Sequence, residues 1–230
     1  VNAGPPTRRA IAAMIDHTVL APDSPMRAFH DACAFAAANQ CASVCICPFF
    51  VPECAALLRG TGVKTCTVIG FPHGTHTTAC KVAEAKLAMA DGAVELDMVV
   101  NVVKVKAGDW TYVRNDIAAV TRAVHDSGCQ VKVIFENACL DDTEKIALCR
   151  ICTELGCDWV KTSTGFGPGG ATLTDLALMR ANIGPGVQIK AAGGIRTLEH
   201  LLAAREAGAT RIGCSRSADV LAACDQPSVR

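Results

Sequence analysis

The sequence has 230 residues, half of them hydrophobic, with a mean hydropathy of +0.29. Lysine and arginine together number 22, as do aspartate and glutamate, so no overall field draws the chain to nucleic acid or to an anionic membrane. No run approaches the roughly 18 apolar residues of a membrane span, which leaves a soluble, well-packed protein of one large or two small domains and a small molecule as the default ligand.

The chain opens VNAGPPTRRA with no apolar core of a secretory signal. The spacing then predicts eight strands, at residues 13–16, 41–46, 63–69, 93–99, 129–135, 157–162, 187–191 and 209–213. Between them run helix-period segments that stop at Gly62, Gly92, Gly128, Gly156, Gly186 and Gly208, where glycine would supply the left-handed residue of a helix end. Val113, Ile117, Val120 and Val124 share one helical face. Thr172 with Asp175, and Asp141 with Glu144, read as helix caps with an acid three residues on. VELDMVV (94 to 100), VKVIF (131 to 135) and DWVKT (158 to 162) carry hydrophobic residues in succession, which implies a parallel sheet covered on both faces. Eight such units predict an α/β fold, a closed (β/α)8 TIM barrel of eight parallel strands with surrounding helices, forming a single domain over residues 1–230. A doubly wound open sheet would carry G-x-G-x-x-G in its first βα turn, and none is there.

The fourteen cysteines sit in apolar periodic segments and read as reduced core thiols of a cytoplasmic protein. Cys45 with Cys47, and Cys149 with Cys152, have metal-ligand spacings, but the CRIC pair falls inside a helical pattern and no metal is expected. His73 and His76 lie on a loop with no carboxylate at a suitable offset. His17 follows Asp16 and should point to the other side of its strand. Lys104 and Lys106 precede a helix and read as solvated.

Active sites of such barrels lie at the C-terminal strand ends. Those ends hold Asp16, Cys45, Cys47, Asp97, Asn101, Glu136, Lys161 and Lys190. Lys161 and Lys190 end consecutive strands, and a buried lysine beside another cation is pushed toward its neutral, nucleophilic amine. Schiff-base chemistry needs that amine. The last three strands lead into TGFGPGG, AGGIR and IGCSRSADV, whose backbone N–H groups would form an anion site to which Arg196 adds charge, implying a phosphorylated substrate. Cys45 could face the pocket or pack beneath it. Glu136 could partner one of the lysines or be a core acid satisfied by hydrogen bonds.

Taken together, VKTSTGF, KAAGGIR, ELDMVVN, VIGFPHG and RIGCSRS resemble the deoxyribose-phosphate aldolase family from about Asp16 to Ser217. The resemblance implies a class I aldolase that reversibly cleaves 2-deoxy-D-ribose 5-phosphate to acetaldehyde and D-glyceraldehyde 3-phosphate without a cofactor. On that likeness Lys161 would form the Schiff base, Lys190 would be the cation that lowers its pKa, and Asp97 would relay protons through water. Thr162, Gly165, Gly193, Gly194, Arg196, Gly213 and Ser215 would hold the substrate and its phosphate, with Asp16 and Thr18 near the sugar hydroxyls. Arg216 stands where members often have a second serine, and Ala192 where Ser or Pro is common. Some members use a C-terminal tyrosine, whereas this sequence ends PSVR and its single tyrosine is Tyr112, on a predicted helix. A homodimer is expected from the family. Two other readings stay open: another phosphate-binding barrel enzyme, such as an isomerase or an aldolase with a different donor, and a barrel that only binds a phosphorylated metabolite.

Overall fold

A computed structural model describes residues 6–225, so the opening VNAGP and the terminal QPSVR lie outside the described residues. The strands are β1 (Ile15–Val19), β2 (Ser43–Ile46), β3 (Lys64–Ile69), β4 (Glu95–Val99), β5 (Gln130–Ile134), β6 (Trp159–Lys161), β7 (Gln188–Ala192) and β8 (Arg211–Cys214). Each pairs in parallel with the next and β8 returns to β1, closing the barrel in sequence order. The expected α/β barrel is therefore the fold. Its first strand begins two residues later than residues 13–16 predict, so Asp16 is the second residue of β1 and not its end.

The strands are wrapped by α1 (Arg8–Ala12), α2 (Met26–Asn39), α3 (Val51–Leu58), α4 (Thr78–Ala90), α5 (Val102–Lys106), α6 (Trp110–His125), α7 (Asp142–Glu154), α8 (Leu173–Asn182), α9 (Leu198–Glu206) and α10 (Ser217–Ala223). Val113, Ile117, Val120 and Val124 line the buried face of α6. Asp141 and Glu144 form a reciprocal capping box on α7, and Thr172 accepts from Asp175 N at the start of α8. Five of the six expected glycine stops have positive φ; Gly186 does not. Helix α8 has already ended at Asn182, and the Gly184-Pro185 step that follows turns the chain away from helical geometry before Gly186 is reached.

Two cores result. The larger lies between strands and helices, where Cys33, Cys54, Cys149, Cys152 and Cys157 pack as small apolar groups among aliphatic side chains. All fourteen cysteines are free thiols. Inside the barrel the small apolar cluster is Leu20, Cys45, Cys66 and Val68. Much of the remaining interior is charged, which corrects the reading of the strands as apolar on both faces. Glu95 and Asp97 alternate with Leu96 and Met98, and Lys132, Lys161, Lys190 and Arg211 are buried in the adjoining strands. A charge is tolerated there because each finds an opposite partner inside the same ring of strands.

Among the described residues, one fully buried charge pair lies outside the ring. Lys81 of α4, fully buried, donates to Asp116 Oδ2 of α6 at 2.6 Å and to Val99 O at 2.9 Å, and Thr78 donates to Asp116 Oδ1. This pins two helices to the end of β4. No helix among the described residues is long and apolar enough to cross a membrane.

Candidate active site

Asp97 organises the interior. Its Oδ2 accepts from Lys161 Nζ and from Lys190 Nζ, both at 2.7 Å, while its Oδ1 accepts from Lys132 Nζ at 2.8 Å and from Cys66 Sγ at 3.3 Å. Parallel pairing sets this up. The register places Asp97 opposite Lys132 on β5 and Lys161 opposite Lys190 on β7, with Lys161 itself opposite Ile134, two residues beyond Lys132, so the carboxylate meets lysines from two successive register positions.

Beneath lies a second layer. Lys132 Nζ is also 2.7 Å from Glu95 Oε2, and Arg211 reaches Glu95 with two donors, at 2.8 and 3.0 Å. Asp16 Oδ1 accepts from Arg211 and from Ser43 Oγ, each at 2.6 Å, and its Oδ2 stands 2.5 Å from Lys190 Nζ. The Trp159 ring lies beside the Arg211 guanidinium, 5.0 Å from its centroid.

Burial alone would push these carboxylates up and the lysines down. The opposite charges prevail: Asp16, Glu95 and Asp97 are drawn down, the latter two mainly by Lys132 and Asp16 mainly by Lys190, while Lys132, Lys190 and Arg211 are held above their ordinary values by the same acids.

Lys161 alone of this group reaches the surface of a cavity of about 440 Å³, 3% exposed at its floor. The walls are Thr18 to Ala21 from the end of β1, Thr164 to Phe166 after β6, Ala192 to Arg196 after β7, and Gly213 to Ser215 at the end of β8. Among the sequence candidates, the structure thus brings Lys161, Thr18, Gly165, Gly193, Gly194, Arg196, Gly213 and Ser215 around one space. Gly193 needs to be glycine: its φ is +82°, and a Cβ there would lie 2.9 Å from Gly170 Cα. Gly213 has no Cβ to crowd Ala192, whose Cβ would be 3.0 Å away.

Other candidates lie elsewhere. Asp16 is fully buried in the lower layer, paired with cations, and cannot touch substrate hydroxyls. Thr162 follows Lys161 and so faces outward, where its Oγ1 donates to Ala192 O and accepts from Ala192 N, bridging β6 to β7. Cys45 is fully buried in the apolar cluster with Cys66, so of its two readings the packed thiol is the one found. Glu136, at φ +60°, sits on neither lysine: Thr164 donates to it through both N and Oγ1, tying the loop after β5 to the cavity wall. His17 points away from the cavity, against Phe35 and 2.9 Å from Ser217 Oγ.

The ligand atoms of Cys45, Cys66 and Asp97 lie within 4.8 Å of one another, a grouping that could hold a metal. Lys132 already occupies that space, 3.3 Å from Cys66 Sγ and 2.8 Å from Asp97. An ammonium and a dication would compete for the same acid, and the donor set does not fit a metal.

Sequence reasoning missed Lys132, Glu95 and Arg211. Their signal was present as alternation: charged residues two apart in ELD, and one inside VKV, mark a single inward face.

The model of the DeoC/LacD family of aldolases matches residues 10–217. The chain belongs to the DeoC/LacD aldolase family. It is 54% identical over 92% of its length to the deoxyribose-phosphate aldolase of Rhodopirellula baltica, covering 88% of that protein. To the deoxyribose-phosphate aldolase of Brevibacillus brevis it is 47% identical, over 90% of this chain and 93% of that one. Among solved structures, a putative deoxyribose-phosphate aldolase from Coccidioides immitis superposes with a TM-score of 0.92 at 38% identity, covering 96% of this chain and 88% of that one. The tetrameric aldolase from Aeropyrum pernix gives 0.88 at 29%, over 94% and 92%. In this DeoC/LacD aldolase Ala192 lines the cavity, whereas Arg216 turns aside to donate to Asp219 at 2.5 Å.

Proposed function

We propose that the chain is a class I aldolase that reversibly cleaves 2-deoxy-D-ribose 5-phosphate to D-glyceraldehyde 3-phosphate and acetaldehyde through a Schiff base on Lys161. The observation that carries this is Lys161 itself, a lysine at the floor of the cavity with its Nζ fixed 2.7 Å from Asp97 and beside the charged Lys190.

The neutral amine attacks the substrate aldehyde, and loss of water from the carbinolamine leaves a protonated iminium. The C3 hydroxyl gives up its proton to solvent in the cavity, the C2–C3 bond breaks, and its electron pair passes into the iminium to form an enamine while glyceraldehyde 3-phosphate departs. Protonation at C2 and hydrolysis release acetaldehyde and return the amine. Asp97, hydrogen-bonded to both Lys161 and Lys190, exchanges protons with the Lys161 amine, which alone of the three opens to solvent in the cavity. The phosphate is held at the opposite wall by the backbone N–H groups around Gly165, Gly193 and Gly194 with Arg196 and Ser215.

A carboxylate-based isomerase fits less well, because no aspartate or glutamate is among the cavity-lining residues. A pyruvate-type donor would need a cationic clamp for its carboxylate, and apart from Lys161 the cavity offers only Arg196. Incubation with acetaldehyde, borohydride reduction and peptide mapping test the proposal. An ethyl adduct on Lys161, absent from Lys161→Ala, is expected. Turnover by a folded protein with no such adduct would overturn the mechanism.

A further inference from the structure

The cavity accounts for Lys161 but not for the charged layer beneath it. Resting on the Schiff-base reading above, we infer that Lys132 is a positioning residue, one that sets the charge state of the nucleophile by completing an interior in which three acids are already matched by three other cations, so that a proton on Lys161, which shares Asp97 with Lys190, is the one the balance does not need.

The groups that face Lys161 come from the whole ring. From β1 and β4 come three carboxylates, Asp16, Glu95 and Asp97, and from β5, β7 and β8 three cations, Lys132, Lys190 and Arg211. From β2 and β3 come Ser43, whose hydroxyl carries no charge, and the thiols Cys45 and Cys66, the first drawn down by its hydrogen bond with Cys66 and the second held up by burial. Lys64 also reaches Glu95, at 2.9 Å, but its side chain is 43% exposed and solvent screens it. Three acids therefore meet three buried cations before Lys161 is counted. Every one of those six groups is held in its charged form by its neighbours. A proton on Lys161 would leave one uncompensated charge in a closed interior, whereas the neutral amine leaves none.

Lys132 has the central place in this balance. It is fully buried, and it contacts all three acids: Glu95 at 2.7 Å, Asp97 at 2.8 Å and Asp16 at 3.6 Å. It is the one cation on Asp97 Oδ1, beside the Cys66 thiol, so that Oδ2 is left to be shared between Lys161 and Lys190. It does not line the cavity and acts only through these acids.

The experiment measures the rate of trapping of acetaldehyde on Lys161 with cyanoborohydride between pH 5.5 and 10. Wild-type protein comes first, and absence of a Lys161 adduct there defeats the Schiff-base reading itself, separately from this inference. In Lys132→Met the interior has one excess negative charge, Lys161 keeps its proton, and trapping at pH 7 falls about tenfold or more but recovers as the pH is raised. The double variant Lys132→Met with Glu95→Gln restores the balance and returns the pH 7 rate toward wild type. Loss at every pH without rescue by Glu95→Gln, or an unchanged profile, would overturn the inference. Should Lys132→Met fail to fold, Glu95→Gln alone decides: the profile moves to lower pH if the balance governs Lys161, and stays in place if it does not.

Discussion

Asp16 joins four strands through one carboxylate: its Oδ2 faces Lys190 of β7 at 2.5 Å, and its Oδ1 accepts from Arg211 of β8 and Ser43 of β2. Replacing it by asparagine leaves two buried cations short of a partner. Breaking a buried pair from one side costs about 3–5 kcal/mol. The urea midpoint of Asp16→Asn should fall accordingly. A midpoint equal to wild type would show that Asp16 is not the clamp described.

Arg196 lies at the exposed rim of the cavity, near the glycine loops assigned to the phosphate. Its removal takes away charge from the end of the substrate that does not react. Arg196→Ala should raise KM for the phosphorylated sugar about tenfold, a loss of roughly 1.4 kcal/mol, with little change in kcat. Unphosphorylated 2-deoxyribose should be handled as by wild type. Equal losses on both sugars would place the phosphate elsewhere.

The Lys81 and Asp116 pair is as buried as the pairs of the barrel interior but lies outside the ring, between α4 and α6. Lys81→Met should therefore destabilise by about 3–5 kcal/mol while each folded molecule turns over at the wild-type rate. Active-site titration by adduct mass, set beside urea unfolding, separates the two quantities. A lowered rate per folded site would mean that this pair also shapes the cavity.

Burial lowers His17 from its ordinary 6.5 to about 4. The folded protein holds the ring neutral where the unfolded chain would protonate it. Its contribution is complete above pH 6.5 and is lost as the pH falls toward 4, with a slope of up to about 1.4 kcal/mol per unit. His30 runs the other way, raised by Glu53, but it is exposed to solvent. The carboxylates of the interior, all drawn down, begin to lose stability only near and below pH 4.5. Wild-type stability should decline between pH 6.5 and 5 and that of His17→Gln should not. Parallel curves would rule out His17 as the source.

The barrel was legible because glycine stops and strand runs recur, and because Lys161 and Lys190 stand at strand ends where charge is conspicuous. The interior was not. Asp16 reads as a strand end because an acid inside a strand is unfavourable by itself, and the partner that makes it favourable, Arg211, is 195 residues away. Lys132 hides for the same reason, its acids being supplied by β4 and β1. Thr162 was legible by alternation, since the residue after an inward Lys161 must face out, and the motif it belongs to obscured that. Cys45 does face inward, yet Leu20, Cys66 and Val68 pack around it, and packing against neighbours distant in sequence leaves no mark on local pattern.

The buried cysteines of both cores carry a consequence for how the molecule is lost. Folded, nine of the fourteen thiols are buried and beyond the reach of oxidants. Unfolding releases them together, and thiols held open by heat in air exchange and cross-link over seconds to hours, which removes molecules that would otherwise refold. Heating without a reductant should then give an irreversible transition whose apparent Tm climbs with scan rate, whereas a thiol reductant should restore a refolding yield that depends on the fold alone. If so, the durability of this enzyme in use should follow how often it opens rather than how stable it is when closed.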